Sequence, residues 1–125
     1  MKTILVLDSD MAFALWLGQG LAQSGYSAVP ALSAPGAREL LGEMSNAVDL
    51  LVVNPVLPDT VDFIEMLRGL NPRLKIVVVT DKNQVQLSKI PYVDLHCRKP
   101  EGPDDSGRRK LIAQIETVLP PFDSD

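Results

Sequence analysis

The chain has 125 residues, 46% of them apolar and 22% charged, with a formal net charge of −4. That is the size and composition of one globular domain with a single core. It contains no run of about 18 apolar residues to cross a bilayer, and its acidic balance argues against nucleic-acid binding by the domain itself. The opening MKTILVLDSDMAF sets Asp8 and Asp10 inside what would be the apolar centre of a signal peptide, so secretion is not expected. Cys97, the single cysteine, has no disulfide partner in the chain and no companion ligands for a metal, which suits a reducing cytoplasm.

Thr3–Leu7 (TILVL) is a continuous apolar run rich in β-branched residues, the pattern of a strand covered on both faces. Met11–Ser24 follows as a helix with Ala14, Leu17 and Leu21 on one stripe and Gly25 placed to terminate it. Tyr26–Val29 reads as the second strand. Ser33–Met44 reads as the second helix, opened by a Ser33 cap and an early Pro35, with Ala37, Leu40, Leu41 and Met44 repeating along it. Leu50–Val53 and Lys75–Thr80 are two further continuous strand runs, and a helix from Asp59 to Gly69 between them carries Phe63, Ile64 and Leu67. Tyr92–Cys97 is a weaker fifth strand. Only Asp81–Lys89 remains for a helix ahead of it, and Val85 and Leu87 are poorly spaced for one helix face, so a short or irregular fourth helix is expected. Asp105–Leu119 is the last helix, stopped by Pro120-Pro121. The domain is thus expected over residues 1–119, with 120–125 as a tail or the start of a linker.

Strand–helix alternation of this kind gives an α/β fold, a parallel sheet with helices on both faces and right-handed crossovers. Five strands suggest the flavodoxin-like order 2-1-3-4-5, whose functional crevice lies at the carboxyl ends of the first and third strands. Asp8, Ser9 and Asp10 follow the first strand, Asn54 the third, Thr80 ends the fourth, and Lys99 follows the fifth. All are expected to face that crevice.

With those residues in place, the chain resembles the receiver domains of two-component response regulators. ILVLDSD resembles the acidic motif after the family's first strand, and DLLVVNPVLP its third strand and following loop. VVVT resembles its fourth strand with a terminal Thr or Ser, and RKP its Lys-Pro. The resemblance implies a CheY-like fold in which the third-strand aspartate accepts a phosphoryl group from a histidine kinase. Carried over, the acidic Mg²⁺-holding pair falls on Asp8 and Ser9, the acceptor on Asn54, the hydroxyl on Thr80 and the base on Lys99. The aromatic switch position, three before the lysine, falls on His96.

Several positions depart from that pattern. An amide at Asn54 is neither anionic nor nucleophilic, so an ordinary acyl phosphate cannot form there. Ser9 puts a neutral hydroxyl where the family has a carboxylate, leaving Asp8 alone, and Mg²⁺ binding is expected to be weak or absent. Pro55 has no N–H to attack the Asn54 amide, so spontaneous deamidation should be slow. Lys99 is expected to pair with Asp8 or Asp10 as a structural ion pair. The segment from Thr80 to Lys99 is short for the family, Ile90-Pro91-Tyr92-Val93-Asp94 replaces the usual turn, and EGPDDSG is a long connection to the last helix.

Other residues carry plainer expectations. Asp8 and Asp10 should cap the first helix. His96 reads as a surface side chain and Cys97 as a small buried hydrophobe. Arg108-Arg109-Lys110 reads as a solvated helix face, and Trp16 as a half-buried packing residue. The leading functional reading is a pseudo-receiver, not an enzyme, that contacts a histidine kinase, another receiver or an effector domain in the cytoplasm, with no membrane or nucleic-acid contact of its own. The alternatives are a receiver phosphorylated elsewhere, such as on Asp10, and a flavodoxin-like domain binding a small ligand. LDSDMAF disfavours the latter, because an acidic loop repels phosphate.

Overall fold

The computed structural model describes residues 1–43, 47–81, 90–102 and 104–122. In chain order the elements are β1 (Thr3–Leu7), α1 (Met11–Gln23), β2 (Ser27–Ala31), α2 (Ala34–Glu43), β3 (Leu50–Val53), α3 (Thr60–Leu70), β4 (Lys75–Thr80), β5 (Leu95–Arg98) and α4 (Asp105–Val118). The strands form one parallel sheet in the order β2-β1-β3-β4-β5. The irregular helix expected over Asp81–Lys89 falls largely on residues 82–89, outside the described residues.

Alternation along the central strands divides the core in two. Ile4, Val6, Leu50, Val52, Val77, Val79 and Cys97 face α1 and α4. Leu5, Leu7, Leu51, Val53, Ile76 and Val78 face α2 and α3. Both faces are covered, which is why these strands read as unbroken apolar runs.

Local chemistry fixes the helix ends. Gly25 adopts φ +102, Tyr26 N–H donates to Leu21 O at 3.1 Å and Gly25 N–H to Ala22 O at 3.2 Å. This double closure needs a residue that tolerates positive φ. Ser33 Oγ accepts the Gly36 N–H at 3.1 Å, as its cap position requires. Asp104 opens α4, its Oδ1 accepting from Ser106 N and Gly107 N at 2.7 and 3.3 Å. The long EGPDDSG connection therefore carries the cap of the last helix.

Two strands differ from expectation in their bounds. β2 runs on through Pro30, which an edge strand accepts because a missing N–H can face away from the sheet. Tyr26 is instead a buried residue ahead of that strand, its hydroxyl bonded to Leu119 O. β5 begins at Leu95 rather than Tyr92. Tyr92 is exposed with φ +60, and Asp94 Oδ2 accepts the Ile76 N–H at 2.8 Å, a side chain standing in for the ladder. The segment after α4 folds back onto the body: Lys2 Nζ donates to Pro120 O at 2.8 Å, and the Phe122 ring lies over Gly25.

Arg108 departs from the solvated face expected for its cluster. It is half-buried, stacks 5.7 Å from the Trp16 ring centre and donates to Trp16 O at 3.2 Å, while Arg109 and Lys110 are exposed. Gly20 makes this possible, because a Cβ there would stand 2.7 Å from Arg108 Cδ and from Ile112 Cδ1. Trp16 is half-buried against the α1–α4 core.

Candidate functional site

The order β2-β1-β3 makes β1 and β3 neighbours whose crossovers leave in opposite directions, and a crevice opens past their carboxyl ends. Leu7 pairs with Val53, so Asp8 and Asn54 emerge side by side. Asn54 N–H extends the ladder to Leu7 O at 3.1 Å, and Asp8 N–H to Ala31 O at 3.0 Å. Both side chains are buried by this position, with residue exposures of 2% for Asp8 and 3% for Asn54.

Asp8 is the hub. Its Oδ1 accepts the Asp10 N–H at 2.9 Å. Its Oδ2 lies 2.9 Å from Lys99 Nζ and 3.5 Å from Asn54 Nδ2. Asn54 therefore points its amino group at the carboxylate, while its Oδ1 accepts the Val56 N–H at 3.3 Å and holds the loop after β3. Lys99 is placed by its own N–H, which donates to Thr80 O at 2.8 Å and carries the β4–β5 pairing one residue further. Its ammonium also meets Asp81 Oδ1 at 3.3 Å and Asp10 Oδ2 at 3.9 Å, and sits 4.6 Å from the centre of the Phe13 ring. Burial pulls the Lys99 pKa down, but the bond to Asp8 and the charges of Asp8 and Asp81 outweigh it, so the net direction is up.

The remaining expected residues divide. Asp10 Oδ1 caps α1, accepting the Phe13 N–H at 3.2 Å. Thr80 is half-buried and its hydroxyl donates to Cys97 O at 3.4 Å. Ser9 is exposed. His96 is exposed on β5 and is not among the groups gathered around Lys99; Cys97 beside it is buried, and burial pushes its thiol pKa up. Asp81 and Phe13 were not singled out from sequence. Asp81 had a usable signal, since it directly follows Thr80 at a strand end; Phe13 had none beyond its place in the first turn of α1.

Mg²⁺ suits this donor set poorly. It prefers near-octahedral oxygen ligands with one or two carboxylates. Here the one buried carboxylate is already neutralised by an ammonium at 2.9 Å, and the neighbour at position 54 offers it an NH₂ group. Among the described residues no group of three or more acidic, His or Cys side chains is arranged to hold a metal.

No protein-family profile matches the chain, and no curated protein matches it significantly. Solved structures do. A CheY-like response regulator receiver domain from Methanospirillum hungatei is 25% identical with a TM-score of 0.71, over 97% of this chain and 96% of that one. The N-terminal domain of a response regulator/sensory box/GGDEF three-domain protein from Carboxydothermus hydrogenoformans is 22% identical with a TM-score of 0.72, over 94% of each chain. Response regulator TrrA from Thermotoga maritima, solved with Mg²⁺ and BeF, is 20% identical with a TM-score of 0.70, over 95% of this chain and 100% of that one. The fold is that of the flavodoxin-like α/β proteins with sheet order 2-1-3-4-5. Within that class its architecture is that of the CheY-like receiver domains to which it is similar.

Proposed function

We propose that this chain is a cytoplasmic signalling module of a two-component system that acts through protein contacts and carries no phosphoryl group at position 54. The observation behind this reading is the bonding of Asn54. Its amide is buried, its carbonyl is engaged by the Val56 N–H and its amino group faces Asp8. An amide in that place is neither nucleophile nor anion. Pro55 withholds the N–H that fast deamidation requires. Lys99, a charge that a bound phosphoryl group would answer, is already answered by Asp8 and Asp81.

A module of this kind is not an enzyme. It serves as a docking partner for a histidine kinase, a second receiver or an effector domain, and the multidomain setting of its Carboxydothermus structural relative supports that role. Asp10 is the competing acceptor, standing 3.9 Å from Lys99, but its other oxygen is committed to the α1 cap. The test is intact-mass analysis after incubation with acetyl phosphate and Mg²⁺. An unchanged mass is expected. A hydroxylamine-labile phosphate on the wild-type chain would overturn the proposal, and peptide mapping would then tell Asp10 from any other acceptor.

A further inference from the structure

The chain is acidic overall, yet one concave part of its surface carries cations and no acid. Between β5 and α4 lies an open recess of about 450 Å³ with a mostly apolar lining. That falls within the roughly 300–1,000 Å³ of small-ligand sites. Pro100, Leu111 and Ala113 supply apolar wall, while Arg98, Lys110 and Gln114 supply polar groups. Gly107 bounds the recess beside Pro100. A Cβ at this position would stand 2.8 Å from Pro100 Cβ, so glycine is what lets the first turn of α4 come so near.

The polar side chains here present donors. Among the described residues neither Arg98 nor Lys110 is in an ion pair, and no Asp or Glu lines the recess. The nearby Asp104 is held below the usual carboxylate range chiefly by its bonds to Ser106 and Gly107, and the Lys110 charge contributes least. Its Oδ1 is committed to the α4 cap. Gln114 Oε1 accepts the Cys97 thiol at 3.5 Å, which leaves the NH₂ group to meet a ligand. The geometry points to a binding site for a small free carboxylate with a compact apolar body, its anion held by Arg98 and Lys110 and its body against Pro100 and Leu111. The guanidinium fork matches a carboxylate edge to edge. The apolar wall selects against inorganic anions, and the end closed by Gly107 and Pro100 favours a compact molecule over a running peptide. Both cations are exposed, so the affinity is modest, with a Kd of about 1 mM. None of these side chains belongs to the group around Asp8 and Lys99, so the inference is independent of the chemistry at Asn54.

Backbone-amide NMR on the full chain tests it, with sodium benzoate titrated to about 20 mM at fixed ionic strength. Saturable shifts are expected at Arg98, Lys110, Leu111 and Gln114. Benzamide keeps the ring without the charge, and inorganic phosphate keeps charge without the ring. Each should bind at least about tenfold more weakly than benzoate. Arg98→Ala and Lys110→Ala should each raise the Kd about threefold. Gln114→Glu, which replaces a donor with a like charge, should raise it about tenfold. Arg109→Ala, on α4 outside the recess, should leave it unchanged. All four positions are exposed, so the melting temperature of each unliganded variant should match wild type. Shifts that do not saturate, or that centre elsewhere, overturn the inference. So does benzamide or phosphate binding as tightly as benzoate, or a Kd indifferent to Arg98→Ala, Lys110→Ala and Gln114→Glu. An end-capped acidic peptide that shifts these amides where benzoate does not would also overturn it, assigning the recess to a protein.

Discussion

Asp8 is shared between a cation and an amide, and the two neighbours make different demands on it. Lys99 neutralises a carboxylate whose side chain is only 3% exposed. Removing the ammonium leaves that charge in a poorly solvated place, a loss of about 3 kcal/mol for a buried pair. Lys99→Ala should therefore lower the unfolding free energy measured in urea at neutral pH by that amount, and the midpoint with it. An unchanged midpoint would mean that Asp8 is served by water alone. Asn54→Asp tests the other neighbour. It sets a second carboxylate where the amide now lies 3.5 Å from Asp8 Oδ2, and like charges so close destabilise each other. The variant should melt lower than wild type in a chelator. Millimolar Mg²⁺ should restore it, while wild-type melting stays flat, because a ligand stabilises only the form that binds it. Most of this group was legible in the sequence, since each member sits at a strand end in a motif of fixed order. Asp81 was legible only as the residue that follows Thr80 at a strand end, and the Phe13 ring was not legible, because its approach to Lys99 depends on how the first helix closes over the crevice.

At the scale of elements, the helix that ends at Gly25 and the strand that follows show what a sequence reveals and what it hides. The terminating glycine was readable from its place after a 3.6-residue repeat, and the structure gives the physical reason in its φ of +102 and the two closing hydrogen bonds. Alanine at this position would force a Cβ into left-handed backbone and bring it 2.8 Å from the Phe122 ring. Gly25→Ala should cost about 1–2 kcal/mol by chemical denaturation. A neutral result would mean that the turn relaxes. The extent of β2 was less readable, because proline is a breaker in a central strand and tolerated at an edge, and only the sheet order says which applies. β5 was read too long for a similar reason: Tyr92 has the composition of a strand residue, but Arg68 of α3 donates to the carbonyls of Pro91 and Tyr92 and fixes a turn there. Tertiary contacts of that kind leave no local trace.

Across the whole molecule, two of the contacts that close the domain join its ends, and the one made by Tyr26 is sensitive to alkali. Tyr26 lies between α1 and β2 and reaches Leu119 after α4, beside the Lys2–Pro120 contact. Burial, with a smaller contribution from the Glu116 charge, pushes the phenol up from 10 to about 12. The unfolded chain releases this proton near pH 10 and the folded chain holds it. The stabilisation from the neutral phenol is thus complete below pH 10 and is lost as pH rises through about 12. Each unit of difference is worth ~1.4 kcal/mol, so the loss over that window is ~2–3 kcal/mol. Lys99 acts in the same direction. Its folded pKa is raised above the ordinary 10.5, so the ion pair stabilises fully below that value and fades as the ammonium finally titrates. Stability measured by urea unfolding should therefore decline steeply from pH 10 upward. Tyr26→Phe should lose the bond to Leu119 and be less stable at pH 8, yet show a shallower decline above pH 10, because only the lysine contribution is left. Parallel declines for wild type and Tyr26→Phe would remove the phenol from the account and leave the alkaline sensitivity to the Lys99 cluster.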